Sequence, residues 1–446
     1  MKILLCAHRF LPRFVGGVEV YTLRLAQTLQ GLGHDVQLVT GEPGDRPDNA
    51  LVMTEEVFEG IPLRRLAFDF RRRPSRHGLI GYDQDMAAKL AGAIEKWSPD
   101  FVHAITLSAL TGTVMRIAKR SGFPVVFTAA DFAPICVRGT LLQDGEKLCD
   151  GREESHKCAR CLAQDDPLFA RVYEMIDHLP QPLLRAAAHI GEWLRPNLIS
   201  GSILDMPQRW TTLRPFLKQL DLIIAPSTAM RDMLVLNGVD PKRIVISVYG
   251  ICPPPSPLPT KQPAPHVRFA FIGRIAYEKG VDLLVRAFDS LPSGDRAKLT
   301  LYGVPERRAY AENIQKITAG NPNIILAGHL DNAEVYDTYR QIDVLVTPSI
   351  WYENSPITIL EAYANRTPVI SSDIPGVADL VNHEVNGLLF KRGDPLELAR
   401  QMERCIEEPE LLPRLSTGIR PIKTIYEDAV GLVELYRQIE RRTPGV

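Results

Sequence analysis

Short apolar runs alternate with helix-length amphipathic stretches along this chain, and that alternation restricts it to a parallel-sheet α/β build. Ile3 to Ala7 is followed by a glycine-bearing loop over 11–17, an amphipathic stretch from about Val18 to Leu32, and a second apolar run from Val36 to Thr40. A strand parallel to its predecessor needs a crossover of about a dozen residues or more, and a helix supplies it. Strands covered on both faces read as continuous apolar runs. Similar runs begin near Asp100, Pro124 and Asp221. The segment 251–265 is too rich in proline for helix or central strand and reads as an extended linker. Beyond it the alternation restarts at Val267, with further apolar runs near Lys298, Ile324, Val344 and Val369. The chain therefore reads as two Rossmann-like α/β domains, over 1–250 and 266–423, followed by a last helix over 424–446. Its 446 residues suit two domains of ordinary size.

Charge excludes one class of partner. Lysine and arginine number 52 against 53 aspartates and glutamates, so no global field recruits nucleic acid. His8 and Arg9 interrupt the first apolar run too early for an export signal. No run reaches the roughly 20 apolar residues of a membrane span. The expectation is a cytoplasmic protein, with peripheral contact at the inner face of a membrane as its furthest excursion. Phe70 to His77 packs four arginines into one loop, for which an anionic lipid diphosphate and plain solvation are both readings.

Two segments of the second half carry chemistry. In the first, Gly273, Arg274 and Lys279 follow a strand and precede a helix. Ligands of open α/β sheets sit beyond the carboxyl ends of strands, and two cations there suit a diphosphate. Arginine offers a planar fork and lysine a mobile point charge. In the second, Glu353 and Glu361 stand eight positions apart across a strand-to-helix turn. Asn354 and Ser355 fall near the helix start, where free N-H groups favour an anion, and Pro356 fits a first turn. The plainer readings are solvated loop cations, a capping glutamate and a solvated helix face.

Taken in order, Gly273-Arg274, Lys279-Gly280, Pro348-Ser349, the Glu353-to-Glu361 spacing, Pro368-Val369-Ile370 and Gly387-Leu388-Leu389 resemble the donor domain of family 4 retaining glycosyltransferases. Upstream, Gly16-Gly17-Val18-Glu19 resembles the family's glycine loop, and Ala225-Pro226-Ser227 and Tyr249-Gly250 resemble its interdomain elements. Only the middle, from about Ala133 to Gln219, departs. The resemblance implies the GT-B architecture, two Rossmann-like domains facing a central cleft, with the C-terminal helix over 424–446 packing back on the first domain. It implies transfer of a hexose from a nucleoside-diphosphate sugar, with UDP or GDP as carrier, to a glycan, lipid-linked or small-molecule acceptor. It assigns Arg274 and Lys279 to the diphosphate, Glu361 to the ribose and Glu353 to the region of the transferred sugar. The segment Asn354, Ser355, Pro356, Ile357 would meet sugar hydroxyls or phosphate, and Gly16 and Gly17 would let backbone approach the diphosphate. No catalytic metal is expected, since the two cations take its place.

One position breaks the resemblance. Many relatives carry His-Asp after the strand equivalent to Val125–Thr128, and this chain has Ala130-Asp131. Asp131 remains a candidate near the acceptor, and His103, at the end of another strand, is a candidate substitute for the missing histidine. A protein that binds nucleotide sugar without transferring it, or an assembly subunit, is the alternative that Ala130 keeps open.

Cys136, Cys149, Cys158 and Cys161 lie in an insert over about 133–165, and the last two form a CxxC pair. In a reducing compartment such a cluster points to metal rather than disulfides. A structural zinc ion held by four thiolates is the favoured expectation; an iron-sulfur cluster uses the same ligands. His156 is a reserve ligand.

Overall fold

The computed structural model describes residues 1–43, 51–69, 82–143, 147–164, 171, 183, 206–254, 261, 264–331 and 334–442. The basic run at 70–77 lies outside the described residues, as do most of 165–205, part of the linker and the side chain of His156. The chain forms two compact units, Met1–Val248 with Tyr426–Val446, and Tyr249–Ile425.

The first unit is built on an eight-stranded sheet. In sequence its strands are β1 (Lys2–Ala7), β2 (Asp35–Pro43), β3 (Val52–Phe58), β4 (Ile61–Phe68), β5 (Phe101–Ala104) and β6 (Val125–Thr128). After a separate two-residue pair, β7 (Leu142–Gln143) with β8 (Lys147–Leu148), come β9 (Leu222–Ala225) and β10 (Ile244–Ile246). In space the sheet runs β10-β9-β6-β5-β1-β2-β4-β3. Every pairing is parallel except β3 with β4. Because β1 lies between β5 and β2, the winding reverses at β1, the point where open sheets leave a crevice beyond their carboxyl ends. The helix Gly17–Gly31 begins there and buries Leu23, Leu25, Ala26 and Leu29 against the sheet side.

The helix Ile425–Arg442 belongs to this same unit. Its Tyr436 ring stacks on Phe101 of β5, with centroids 4.8 Å apart, and its Asp428 accepts a hydrogen bond from Tyr21 at 2.9 Å. No described helix is long and apolar enough to cross a membrane.

The second unit holds a six-stranded, wholly parallel sheet: β11 (Val267–Ile272), β12 (Ala297–Tyr302), β13 (Ile324–Gly328), β14 (Val344–Thr347), β15 (Val369–Asp373) and β16 (Gly387–Lys391). Its spatial order is β13-β12-β11-β14-β15-β16, so the winding reverses between β11 and β14. One face packs Phe269, Phe271, Leu299 and Phe390 against Val281, Leu284, Phe288, Leu398 and Met402 of two amphipathic helices. The other packs Leu345 and Val369 against Tyr339, Ile359 and Tyr363. Each large side chain so buried contributes about 1.5–3 kcal/mol, which fixes where the two reversal-point strands end.

Candidate functional site

Both predicted donor segments lie at that reversal. The loop after β11 carries Gly273, Arg274 and Lys279, and the loop after β14 carries Pro348 to Glu353. Gly280 joins them. It sits at φ 66° and starts the helix Val281–Asp289, and a Cβ built on it would overlap the carbonyl oxygen of Pro348. Only glycine accepts both conditions. The Ile350 amide also donates to the Glu278 carbonyl at 3.0 Å, and Arg392 donates to the Ile350 carbonyl at 2.9 Å.

Glu353 is the hub of the second loop. Its Oε1 accepts from Lys279 Nζ at 2.6 Å, from Ser349 Oγ at 2.5 Å and from the Trp351 indole at 3.0 Å. The Lys279 ammonium lies 5.1 Å from the centre of the Trp351 ring. Burial works to raise the Glu353 carboxyl pKa, but the charge of Lys279 and the three donated hydrogen bonds outweigh it and hold the group below its ordinary value. Glu353 is thus an anion at neutral pH, and its carboxylate holds the Lys279 side chain in one orientation. Spacing had singled out Glu353 and Glu361; it did not reveal Trp351 as a donor to the first. Arg274 is half exposed and pairs with both Glu278 and Glu306.

Glu361 sits in the helix Ile357–Ala364, and burial pushes its carboxyl up to about 7. Its carboxyl has no hydrogen-bond or ion-pair partner among the described residues, while its backbone carbonyl accepts from Asn365. Pro356 is the N-cap of that helix, which has no side-chain cap. Asn354 and Ser355 precede it, both buried, and Ser355 Oγ has no hydrogen-bond partner among the described residues. The first-turn amides, through Ile357, thus adjoin a buried open hydroxyl, an arrangement that can take an anion or a sugar hydroxyl.

In the first unit Gly16 is the N-cap of the helix Gly17–Gly31, with the Glu19 carboxylate close against it. Asp131 follows β6 and accepts from the Ala133 amide at 3.0 Å. Burial, reinforced by Glu19, pushes Asp131 up to about 6 against the Ala133 hydrogen bond and the charge of Arg209. Neither Glu19 nor Arg209 stood out as a partner of Asp131 in the sequence, because 112 and 78 positions separate them from it.

His103 does not fit the role of a sugar contact. It is fully buried, Nδ1 lies 2.7 Å from Tyr436 Oη and Nε2 lies 2.8 Å from Thr128 Oγ1. Both ring nitrogens are engaged, and burial drives its pKa down to about 3. It is a neutral pin between β5, β6 and the C-terminal helix.

Residues 16–250, more than half of the chain, match the family described as glycosyl transferase 4-like domain, and residues 260–420 match glycosyl transferases group 1. The chain belongs to the glycosyl transferase 4-like family. An uncharacterized glycosyltransferase of Methanocaldococcus jannaschii is 31% identical over 138 residues, which is 31% of this chain and only 35% of that relative. Glycogen synthase of Mycobacterium tuberculosis is 23% identical over 432 residues, 94% of this chain and 89% of the relative. The structure of Anabaena HepE in complex with UDP and glucose superposes over 100% of both chains with a TM-score of 0.62 at 16% identity. The fold of this glycosyltransferase is accordingly the GT-B one, made of two Rossmann-like units.

The four clustered cysteines of the glycosyltransferase line one cavity in the first unit. Burial raises the thiol pKa of Cys149 and Cys161 and pushes Cys158 up to about 12, so these are neutral thiols as they stand. Among the described residues, no three His, Cys, Asp or Glu side chains are placed so that they could hold a metal ion without moving. The expected ligand set is gathered but not closed.

Proposed function

We propose that this glycosyltransferase moves a hexose from a UDP- or GDP-linked donor to a glycan, lipid-linked or small-molecule acceptor, with retention of anomeric configuration. The observation that carries the reading is the pairing of Lys279 with Glu353 where the second sheet reverses its winding, in the stretch that matches glycosyl transferases group 1. A lysine fixed by a buried carboxylate is a cation aimed in advance, and such preorganised charge is worth most where charge develops. HepE, whose structure holds UDP and glucose, supports the choice of a nucleotide sugar.

In this scheme the diphosphate displaces Glu278 and Glu306 from Arg274 and takes up both cations. The bond between the anomeric carbon and the diphosphate oxygen breaks, and its electron pair stays on the diphosphate, where Arg274 and Lys279 stabilise it. The acceptor oxygen bonds to the same face of the sugar, and its proton passes to the leaving phosphate. Glu361 takes the ribose, the amides from Asn354 to Ile357 take sugar hydroxyls or phosphate, and Gly16 and Gly17 give close backbone approach. Asp131, partly protonated near pH 6, serves the acceptor hydroxyl.

A second reading, binding of nucleotide sugar without transfer, is favoured by Ala130 and by the full engagement of His103, which leave no histidine at that point. Incubating the purified chain with UDP-, GDP- and ADP-sugars tests both. Donor hydrolysis or transfer that vanishes in Lys279→Ala supports the enzyme. Tight nucleotide binding with no turnover of any sugar supports the second reading, and no binding at all overturns both.

A further inference from the structure

Cys136, Cys149, Cys158 and Cys161 come from a turn, the β8 end and both ends of the CxxC pair in the helix Ser155–Ala163, yet all four line a single cavity of about 20 Å³. That is room for one atom-sized guest.

Cations act on the same cluster. Arg138 donates from Nη1 to Cys161 Sγ at 3.7 Å and to the Cys161 carbonyl at 2.8 Å. Lys157 lines the cavity beside Cys158. Arg209, in the helix Met206–Leu217, is buried; Nη2 donates to the Ala133 carbonyl, while Nε and Nη1 have no hydrogen-bond partner among the described residues. Cys136 and Cys158 are among the groups whose negative charge would act on it, with Glu153 and Asp131. A buried guanidinium with two open N-H groups is costly without an anion to answer it. Beside thiolates it becomes a charge partner.

We propose that Cys136, Cys149, Cys158 and Cys161 bind one zinc ion as four thiolates, with Arg138, Lys157 and Arg209 offsetting the charge of the resulting dianionic centre. The ion replaces the four S-H protons, which pass to solvent. Thiolate coordination at about 2.3 Å requires the sulfurs to draw inward. The sulfurs of Cys149 and Cys161 make long contacts, 3.5 Å to Gln143 Nε2 and 3.8 Å to Asp150 Oδ1 for the first, 3.7 Å to Arg138 Nη1 and 3.9 Å to the Leu142 carbonyl for the second, which leaves them room to do so. The centre would staple a segment whose regular structure is a two-residue strand pair and one short helix. It would also steady Asp131, since the Cys136 amide donates to the Phe132 carbonyl at 2.7 Å within the same turn.

The test is elemental analysis of the full chain, purified under reducing conditions, together with cobalt titration of chain stripped by a chelator. One zinc per chain and the intense thiolate-to-cobalt absorption of a tetrahedral sulfur site are expected. Cys149→Ser and Cys158→Ser should each lose both signals, whereas Cys252→Ser should keep them. A wild-type chain that holds no zinc and gives no cobalt thiolate band overturns the proposal whatever the variants do. So does a brown preparation containing several irons and sulfides per chain. Neither readout depends on the transferase reading.

Discussion

A Cβ built on Gly376 would overlap the carbonyl oxygen of Glu353, and Gly376 sits at φ 87°. The tight turn after β15 therefore presses on the backbone of the residue that orients Lys279. Gly376→Ala should destabilise the chain by at least about 1 kcal/mol, because the left-handed conformation and the close approach both exclude a side chain. It should also lower transfer without replacing any polar side chain of the site. Thermal unfolding and initial rates measured side by side check this; an unchanged rate would detach Gly376 from the site.

Lys279→Ala removes the charge that Glu353 holds, and transfer should fall by about a hundred- to a thousand-fold, the usual loss for one preorganised electrostatic contact. Glu353→Gln keeps an acceptor for Ser349 and Trp351 but removes the counter-charge of Lys279. Its rate should fall as well, with Ser349→Ala affecting it far less than either. Rates under saturating donor order the three.

Glu361 predicts a pH signature. Its carboxyl is raised by burial from 4.5 to about 7, so the folded chain holds a proton that the unfolded chain has released over that window. The stabilisation is fully present below about pH 4.5 and is lost as pH rises through about 7. Glu361→Gln cannot lose a proton. The difference in Tm between variant and wild type should therefore grow in the variant's favour from pH 4.5 to 7 and then level off, and a flat difference would mean the carboxyl is solvated.

His103→Ala leaves Tyr436 Oη and Thr128 Oγ1 without their partner and opens a hole beside Phe101. It should cost about 1–3 kcal/mol for the unsatisfied groups alone. The KM and kcat of the folded remainder should match wild type. A selective rise in KM for donor sugar would restore His103 to the site.

The parallel strands were legible because burial on both faces leaves uninterrupted apolar runs such as Phe101–Ala104 and Leu222–Ala225. The hairpin of β3 and β4 was not read. Its outer strand is largely exposed and carries Glu55 and Glu56, so no apolar run marks it; their partners are Arg64 and Arg65 across the turn. The donor cations and glutamates stand on short loops between strong strand signals, and their order along the chain carried them. His103 reads in sequence like any histidine at a strand end. What decides its role is Tyr436, 333 positions away, and no local pattern reports such a distance. The four cysteines announced that they would meet, since short separations force proximity, but spacing alone does not fix where each sulfur points.

The helix Ile425–Arg442 sets a schedule for making this molecule. During synthesis the ribosome releases all of β1 to β6, then the whole second unit, before Tyr436 can reach Phe101 and His103. Until then the first sheet waits with a buried imidazole and an aromatic ring unclothed, so the first unit cannot finish folding ahead of the second as successive domains ordinarily do. A cut near residue 250 parts the first unit from its own last helix. A nascent chain stalled short of residue 436 is the form in which this protein would most need a chaperone.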